Sequence, residues 1–137
     1  MTALERGGTR GATLRMRLSQ IAKDDYGTSI ISFEEQMRGR LSRVRDAITP
    51  SSQVEPYRLL HETLKIYTTI AIWNYTEEAV EMFTLLRQRK IKGKTQDLQI
   101  AAIALANDAA VLTANTNHFT HIPHLQVENW LLVATNE

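Results

Sequence analysis

Residues 95–113 read TQDLQIAAIALANDAAVLT, and this stretch decides the fold. From about residue 96 to residue 107 the stretch is apolar nearly all round, and its one acid before residue 108 is Asp97. A helix without a polar face has to be buried, and a sheet can cover it. Residues 110–113 then predict a short apolar strand, typical of a parallel sheet with both faces covered.

The pattern on either side extends this unit into one domain over residues 1–137. Helices are predicted at residues 12–21, 33–48 and 57–67, and from a cap at Thr76, while Thr95 is predicted to cap the apolar helix. Further strands are predicted at residues 28–32, 69–73 and 125–127. Strands separated by helices indicate a three-layer α/β/α sandwich with a short, mainly parallel sheet.

Composition narrows the function classes. The 137 residues include no cysteine, which excludes disulfides, thiolate metal sites and a cysteine nucleophile. No apolar run is long enough to span a bilayer, so we expect a cytoplasmic protein without a membrane partner. The net charge is only +1, but the basic residues are clustered, as at residues 38–45 and 87–94. Such clusters can bind a phosphate backbone, although a solvated helix face is the alternative.

Polar residues follow the predicted strands at their carboxyl ends, where open parallel sheets carry their functional groups. These residues are Ser32 with Glu34 and Glu35, Asn74, and Thr113 with Asn115. Asp97 opens the apolar helix and can reach the same edge. Two such carboxylates would make an oxygen site suited to Mg²⁺ or Mn²⁺. The alternatives are structural, because Ser32 and Glu35 fit a capping box and Asp97 suits a helix start.

Three histidines recur at every third residue, His118, His121 and His124. A zinc site would need a helical or hairpin frame, and Pro123 interrupts a helix there. We therefore do not predict zinc.

Three motifs together resemble the PIN-domain ribonucleases, most closely the VapC-type toxins of toxin–antitoxin pairs. The first is IISFEEQ at residues 30–36 with Arg38-Gly39, the second DLQIAA at residues 97–102, and the third LTANTNHF at residues 112–119 followed by IPHL at residues 122–125. The resemblance spans essentially the whole chain and implies a PIN-like fold and a metal-dependent endoribonuclease.

The resemblance also implies a set of site residues and partners. The family's second and third acids correspond to Glu35 and Asp97, as metal ligands for Mg²⁺ or Mn²⁺ and, with Asn115, as catalytic residues. Supporting hydroxyls would be Ser32 and Thr113. We expect RNA to contact Arg38, Arg87, Arg89, Lys92 and Lys94. An antitoxin protein and a second copy of the chain, forming a homodimer, are the expected protein partners.

The family opens with an apolar strand that ends in an aspartate, and this sequence has no counterpart. Residues 4–8 look like the segment that follows it. We therefore expect an N-terminally truncated domain lacking the first central strand, between the strands at residues 28–32 and 110–113. Three explanations are open. The start codon lies upstream of Met1, another segment or a second chain fills the gap, or the gene is a decaying remnant. Because the first acid is absent, we predict weak or no cleavage.

Two other functions are considered. A non-catalytic PIN-like remnant would bind protein or RNA, using the apolar stripes of residues 33–48 and 57–67. A response-regulator-like domain would need an acidic cluster after a first strand, and the sequence offers none.

Overall fold

The computed structural model describes residues 3–6 and 26–129. They form a five-stranded sheet with helices packed around it. In chain order the elements are β1 (Ala3–Arg6), β2 (Tyr26–Ser29), α1 (Ile30–Asp46), α2 (Val54–Tyr67), β3 (Ala71–Trp73), α3 (Glu77–Gln88), α4 (Thr95–Ala106), β4 (Ala109–Thr113) and β5 (Val127–Asn129). Two short 3-10 helices, Ser51–Gln53 and Thr116–His118, lie between them. The helix predicted at residues 12–21 lies outside the described residues.

The sheet has the order β3-β2-β1-β4-β5. The predicted parallel pairs β2–β3 and β4–β5 are present, whereas β1 runs antiparallel to both β2 and β4. The sheet position between β2 and β4 is where we expect the family's first strand to be missing and another segment, a second chain or a rearrangement to fill the gap. Ala3–Arg6 of this chain occupies it. Leu4 in this strand is fully buried. Because β1 pairs on both sides, the backbone groups of β2 and β4 that would face the gap find partners.

The hydrophobic core is built around α4, as predicted. Its residues Leu98, Ile100, Ala101, Ala102, Ile103 and Ala104 are buried, and all five residues of β4 are buried as well. The predicted cap at Thr76 is confirmed, because its side chain accepts a hydrogen bond from the Ala79 amide at 3.2 Å. The predicted cap at Thr95 is wrong. Lys94 is the residue before the helix, and the Thr95 hydroxyl instead accepts from Arg87 Nη2 at 2.8 Å.

The boundary between β2 and α1 also differs from the prediction. A strand is predicted at residues 28–32, which includes Ile30 and Ile31. In the structure β2 ends at Ser29 and α1 begins at Ile30. The reason is that Ser29 caps the helix, its hydroxyl accepting from the Ser32 amide at 3.0 Å. Ser32 is therefore the third residue of the helix, and the capping box with Glu35 is not formed.

Gly27 of β2 is required by the close approach of β3. A Cβ at this position would lie 2.3 Å from the Ala71 carbonyl oxygen. Since the obstacle is backbone, it cannot move aside as a flexible side chain would.

Helices α1 and α2 pack as an antiparallel hairpin. Phe33 and Tyr67 meet edge to face with ring centroids 4.9 Å apart, and Arg40 Nε donates to Thr63 Oγ1 at 3.0 Å. Tyr67 donates its hydroxyl to Gln36 Oε1 at 2.8 Å, and burial raises the pKa of this phenol, which keeps its proton.

One side of this hairpin is apolar and open. We call it the hairpin face, a groove of about 420 Å³ lined by Met37, Leu41, Tyr57, Leu60, His61 and Leu64. Leu41 is 52% exposed and Leu64 54%. The predicted stripes on residues 33–48 and 57–67 therefore exist, but part of each faces outward. No helix within the described ranges is long and apolar enough to cross a bilayer.

Candidate functional site

Strands β2 and β4 end at the same edge of the sheet, because both run antiparallel to β1. Thr113 closes β4, is buried, and its Oγ1 accepts from the Asn115 amide at 3.1 Å. This turn leads into the 3-10 helix Thr116–His118, whose His118 amide donates to the Asn115 carbonyl at 3.1 Å. The Asn115 side chain itself is exposed.

Asp97 lies in the first turn of α4 and reaches this segment. Its Oδ2 is 3.2 Å from His118 Nδ1. The Asp97 side chain is 19% exposed, whereas that of His118 is 46% exposed. The carboxylate is thus largely covered by protein, and the imidazole in contact with it is more open to solvent. The carboxylate of Asp97 does reach the strand-end edge that was predicted for it.

A cleft of about 490 Å³ opens beside this pair, and we call it the Asp97 cleft. It is lined by Lys90, Ile91, Lys92, Gly93, Lys94, Asp97, Asn117, His118 and His121. Among the described residues that line it, three lysines and one aspartate give a formal charge of +2, counting the histidines as neutral. A concave surface of one sign of charge attracts anions of the opposite sign.

The lysine loop between α3 and α4 is held at several points. Lys90 adopts a left-handed backbone (φ 59°), and the Ile91 amide donates to the Leu86 carbonyl at 3.0 Å, which completes a Schellman turn at the end of α3. Gly93 has φ 146°, and a Cβ there would meet Leu98 at 3.4 Å. His121 Nε2 contacts the Lys92 carbonyl. The lysines are therefore placed around Asp97 by a defined backbone.

Glu35 is not in this cleft. It is exposed on α1, six residues into the helix, and forms no ion pair with another described residue. Ser32, by contrast, is buried at the sheet edge, where its Oγ accepts from the Ser29 hydroxyl at 3.2 Å. The structure thus brings Thr113, the Asn115 backbone and Asp97 together through His118, and leaves the Glu35 carboxylate outside.

The five basic residues predicted to bind RNA occupy different surroundings. Only Lys92 and Lys94 line the Asp97 cleft. Arg87 stacks on the Phe83 ring at 5.3 Å and donates to Thr95, so it supports the loop from outside. Arg89 lines another cleft with Asp108 and His124. Arg38 is paired with Glu34 on α1 at 2.5 Å.

The residues described do not form a metal centre. Among them, no group of three or more His, Asp or Glu side chains is placed to hold a metal ion. Asp97 has His118 against it, and Glu35 is not among the residues lining its cleft. Mg²⁺ favours several oxygen ligands, whereas the described residues that line this cleft include one carboxylate. Taken by themselves, the described donors therefore do not fit the Mg²⁺ or Mn²⁺ ion that the resemblance implies.

Of the residues that line the cleft, Lys92, Lys94 and Asp97 are predicted from the sequence as site residues, whereas its other polar lining residues, Lys90, Asn117, His118 and His121, are not. The two histidines were considered as zinc ligands, and His118 also lies in the third motif that resembles the family. The signal that could have found them is position, because His118 lies five residues after the end of β4, at the edge predicted to be functional.

Comparison with known proteins supports the fold. No protein-family model matches the chain, and no curated protein sequence matches it. Two solved structures are similar in fold. One is the crystal structure of VapBC2 from Rickettsia felis, bound to a DNA fragment from the VapBC2 promoter. Its sequence identity to this chain is 24%, the TM-score is 0.56, and the match covers 74% of this chain and 72% of that chain. The other is VapBC-1 from nontypeable Haemophilus influenzae, with 20% identity, a TM-score of 0.62, and 85% and 84% covered. The predicted PIN-like α/β fold of the VapC type is confirmed.

Proposed function

We propose that this chain is a PIN-like, VapC-type endoribonuclease of a toxin–antitoxin pair, which acts in the cytoplasm and cleaves RNA slowly. The observation that carries the proposal is the largely covered Asp97 carboxylate beside a cleft with three lysines, at the sheet edge where β4 ends. Cations can hold a phosphodiester and stabilise the charge that develops on it, and a neighbouring carboxylate can act on a water molecule, so this arrangement can support RNA hydrolysis.

The proposed roles follow the placement of each residue. Lys92 and Lys94 would bind the RNA backbone, and Arg87 and Arg89 would add to the positive field around them. Asp97 would face the scissile phosphate, with Asn115 at the mouth of the turn and Thr113 holding that turn. Ser32 supports the start of α1. Arg38 lies outside the cleft and would extend the RNA path. Glu35 also lies outside the cleft, and because its carboxylate would repel phosphate, no RNA contact is proposed for it.

The cleavage is proposed to be slow for an electrostatic reason. Mg²⁺ or Mn²⁺, the ions that the resemblance implies, activate water and stabilise the leaving oxygen when several carboxylates hold them. Asp97 is the only carboxylate that lines the cleft among the described residues. With one acidic ligand, both metal affinity and stabilisation of the developing charge are reduced.

The test is single-turnover cleavage of a labelled single-stranded RNA with Mg²⁺ or Mn²⁺. We expect slow cleavage that falls to background in Asp97→Ala. The control Asp46→Ala removes an exposed acid on α1 and should leave the rate unchanged. A rate for the unmodified chain equal to that of Asp97→Ala would contradict the nuclease. Robust turnover, abolished by Glu35→Ala or Asp97→Ala, would contradict the proposal of slow cleavage.

A second candidate function, binding of a protein partner without catalysis, is favoured by the hairpin face. It is an apolar groove between two helices with Leu41 and Leu64 about half exposed, and such grooves accept an amphipathic helix. Both structures of similar fold are of VapBC proteins. We therefore propose an antitoxin protein as the partner at this face. A homodimer contact is the other proposed use of the exposed apolar residues.

A further inference from the structure

We infer that Arg87 and Phe83 form a stacking platform for one unpaired nucleobase, next to the lysine loop. The Phe83 ring supports the Arg87 guanidinium from one side, and the base stacks on the other side. The inference rests on the proposed function, because it takes RNA as the ligand. It deepens that proposal by assigning a subsite that recognises a base, whereas the lysines recognise phosphate.

The Arg87 guanidinium is held from two directions. Its Cζ lies over the Phe83 ring, 5.3 Å from the ring centroid, and its Nη2 donates to Thr95 Oγ1 at 2.8 Å. An aromatic face attracts a cation that lies over it. Because the ring belongs to α3 and the hydroxyl to the start of α4, the guanidinium bridges two helices. A group that is already held in place loses less conformational entropy when a ligand binds to it.

The Phe83 ring is itself supported by the protein. The Tyr75 ring meets it edge to face, with centroids 6.5 Å apart and an angle of 82° between the planes. Both rings are partly buried and pack against the hydrophobic core. The row of Tyr75, Phe83 and Arg87 therefore runs from the core to the first residue of α4.

The side of Arg87 that faces away from Phe83 is open to a ligand. The residue is exposed, and it forms no ion pair with a carboxylate in the part of the chain that the structure describes. Arg38 and Arg58, by contrast, are paired with glutamates of their own helices. A guanidinium is planar and carries five N–H donors, of which Thr95 accepts one. A planar base with hydrogen-bond acceptors matches the face and the donors that are left.

Arg87 lies beside the Asp97 cleft without lining it. Its partner Thr95 directly follows Lys94, which lines the cleft. A single strand can therefore place a phosphate at the lysine loop and a neighbouring base on Arg87, since unpaired bases turn outward and stack on arginine or aromatic side chains. The bases of a duplex are stacked on one another and offer no free face. The subsite therefore favours unpaired RNA.

The experiment uses the full chain and fluorescence anisotropy with two fluorescein-labelled oligoadenylates of equal length. One carries all its bases, and the other has the same backbone with abasic positions. Arg87→Lys keeps the charge but removes the planar group. We expect this variant to bind the base-bearing oligomer at least about fivefold more weakly, which is the low end of the range for stacking of one base. Its affinity for the abasic oligomer should stay within about twofold.

The matched control is Arg43→Lys, which makes the same exchange at an exposed arginine of α1 and should change neither affinity. Arg87 is exposed as well, so both variants should fold. Equal weakening for the two oligomers would overturn the inference, because Arg87 would then act through its position or charge and not through a base. No weakening for either oligomer would overturn it too. An equal loss of affinity for a duplex RNA would overturn the assignment to an unpaired base.

The outcome is separable from that of the nuclease test. Base-dependent binding that is lost in Arg87→Lys, without cleavage in Mg²⁺ or Mn²⁺, would leave the stacking subsite standing and remove the enzyme. Cleavage with the same rate and affinity in Arg87→Lys as in the unmodified chain would do the reverse. If the unmodified chain binds neither oligomer, both proposals are wrong.

Discussion

The Asp97 cleft and the hairpin face lie on the same domain, yet they are built in opposite ways. The cleft is lined mainly by polar and charged residue types, Lys92, Lys94 and Asp97 among them, and lies at the start of the largely buried α4, with Leu98 fully buried behind Gly93. The hairpin face is apolar and rests on α1 and α2, where Leu41 and Leu64 are about half exposed. A polar site on a rigid support suits a small charged ligand, whereas an exposed apolar groove suits a protein partner.

The largest difference between the two regions is expected in how much stability a leucine-to-alanine substitution removes. Leu98→Ala removes a fully buried side chain between α4 and the lysine loop and should lower the free energy of unfolding by about 2–5 kcal/mol. Leu64→Ala makes the same chemical change on the hairpin face, where we expect a loss of less than about 0.5 kcal/mol. Urea unfolding measures both. Similar losses for the two leucines would show that the hairpin face is as well packed as the core.

Charges introduced on the hairpin face should have a smaller effect on stability. They should selectively prevent binding of the protein partner. Leu41→Asp/Leu64→Asp should change the free energy of unfolding by less than about 1 kcal/mol, because both side chains are already half exposed. The double variant should nevertheless fail to co-purify with a co-expressed antitoxin protein of the proposed kind, and its RNA affinity should stay unchanged. Retained co-purification would exclude the hairpin face as the partner site.

Much of the fold could be predicted, and α4 shows why. A helix that is apolar on every side has a single stable environment, so its burial, its strand β4 and the layered architecture follow from local pattern. The start of α1 could not be fixed in the same way. Ser29 and Ser32 both suit a cap, and Ile30 and Ile31 suit a strand as well as a helix, so tertiary packing decides between them.

The central strand was beyond local reasoning for another reason. Ala3–Arg6 is four residues long, and its place between β2 and β4 depends on pairing with residues far along the chain. Strand partners and their direction are set by long-range contacts, which short apolar segments do not reveal.

The candidate site was predicted in part. Asp97 could be found because it is a lone acid at the start of an apolar helix, and its carboxylate lies at the expected edge. The exclusion of Glu35 from the cleft, and the contact of His118 with Asp97, depend on how α1 and the segment after β4 turn in space. His118 lies in the third motif that resembles the family, but neither that motif nor the spacing of the histidines predicts its contact with Asp97.

The most direct test of the account is backbone amide hydrogen exchange with and without a short oligouridine, a single-stranded RNA. One such measurement reports on both the Asp97 cleft and the hairpin face. The account predicts that RNA slows exchange at residues 91–97 and 115–121, which border the Asp97 cleft, and leaves residues 37–48 and 57–66 on the hairpin unchanged. Slowed exchange on the hairpin, with no change around the cleft, would contradict the assignment of the cleft to RNA.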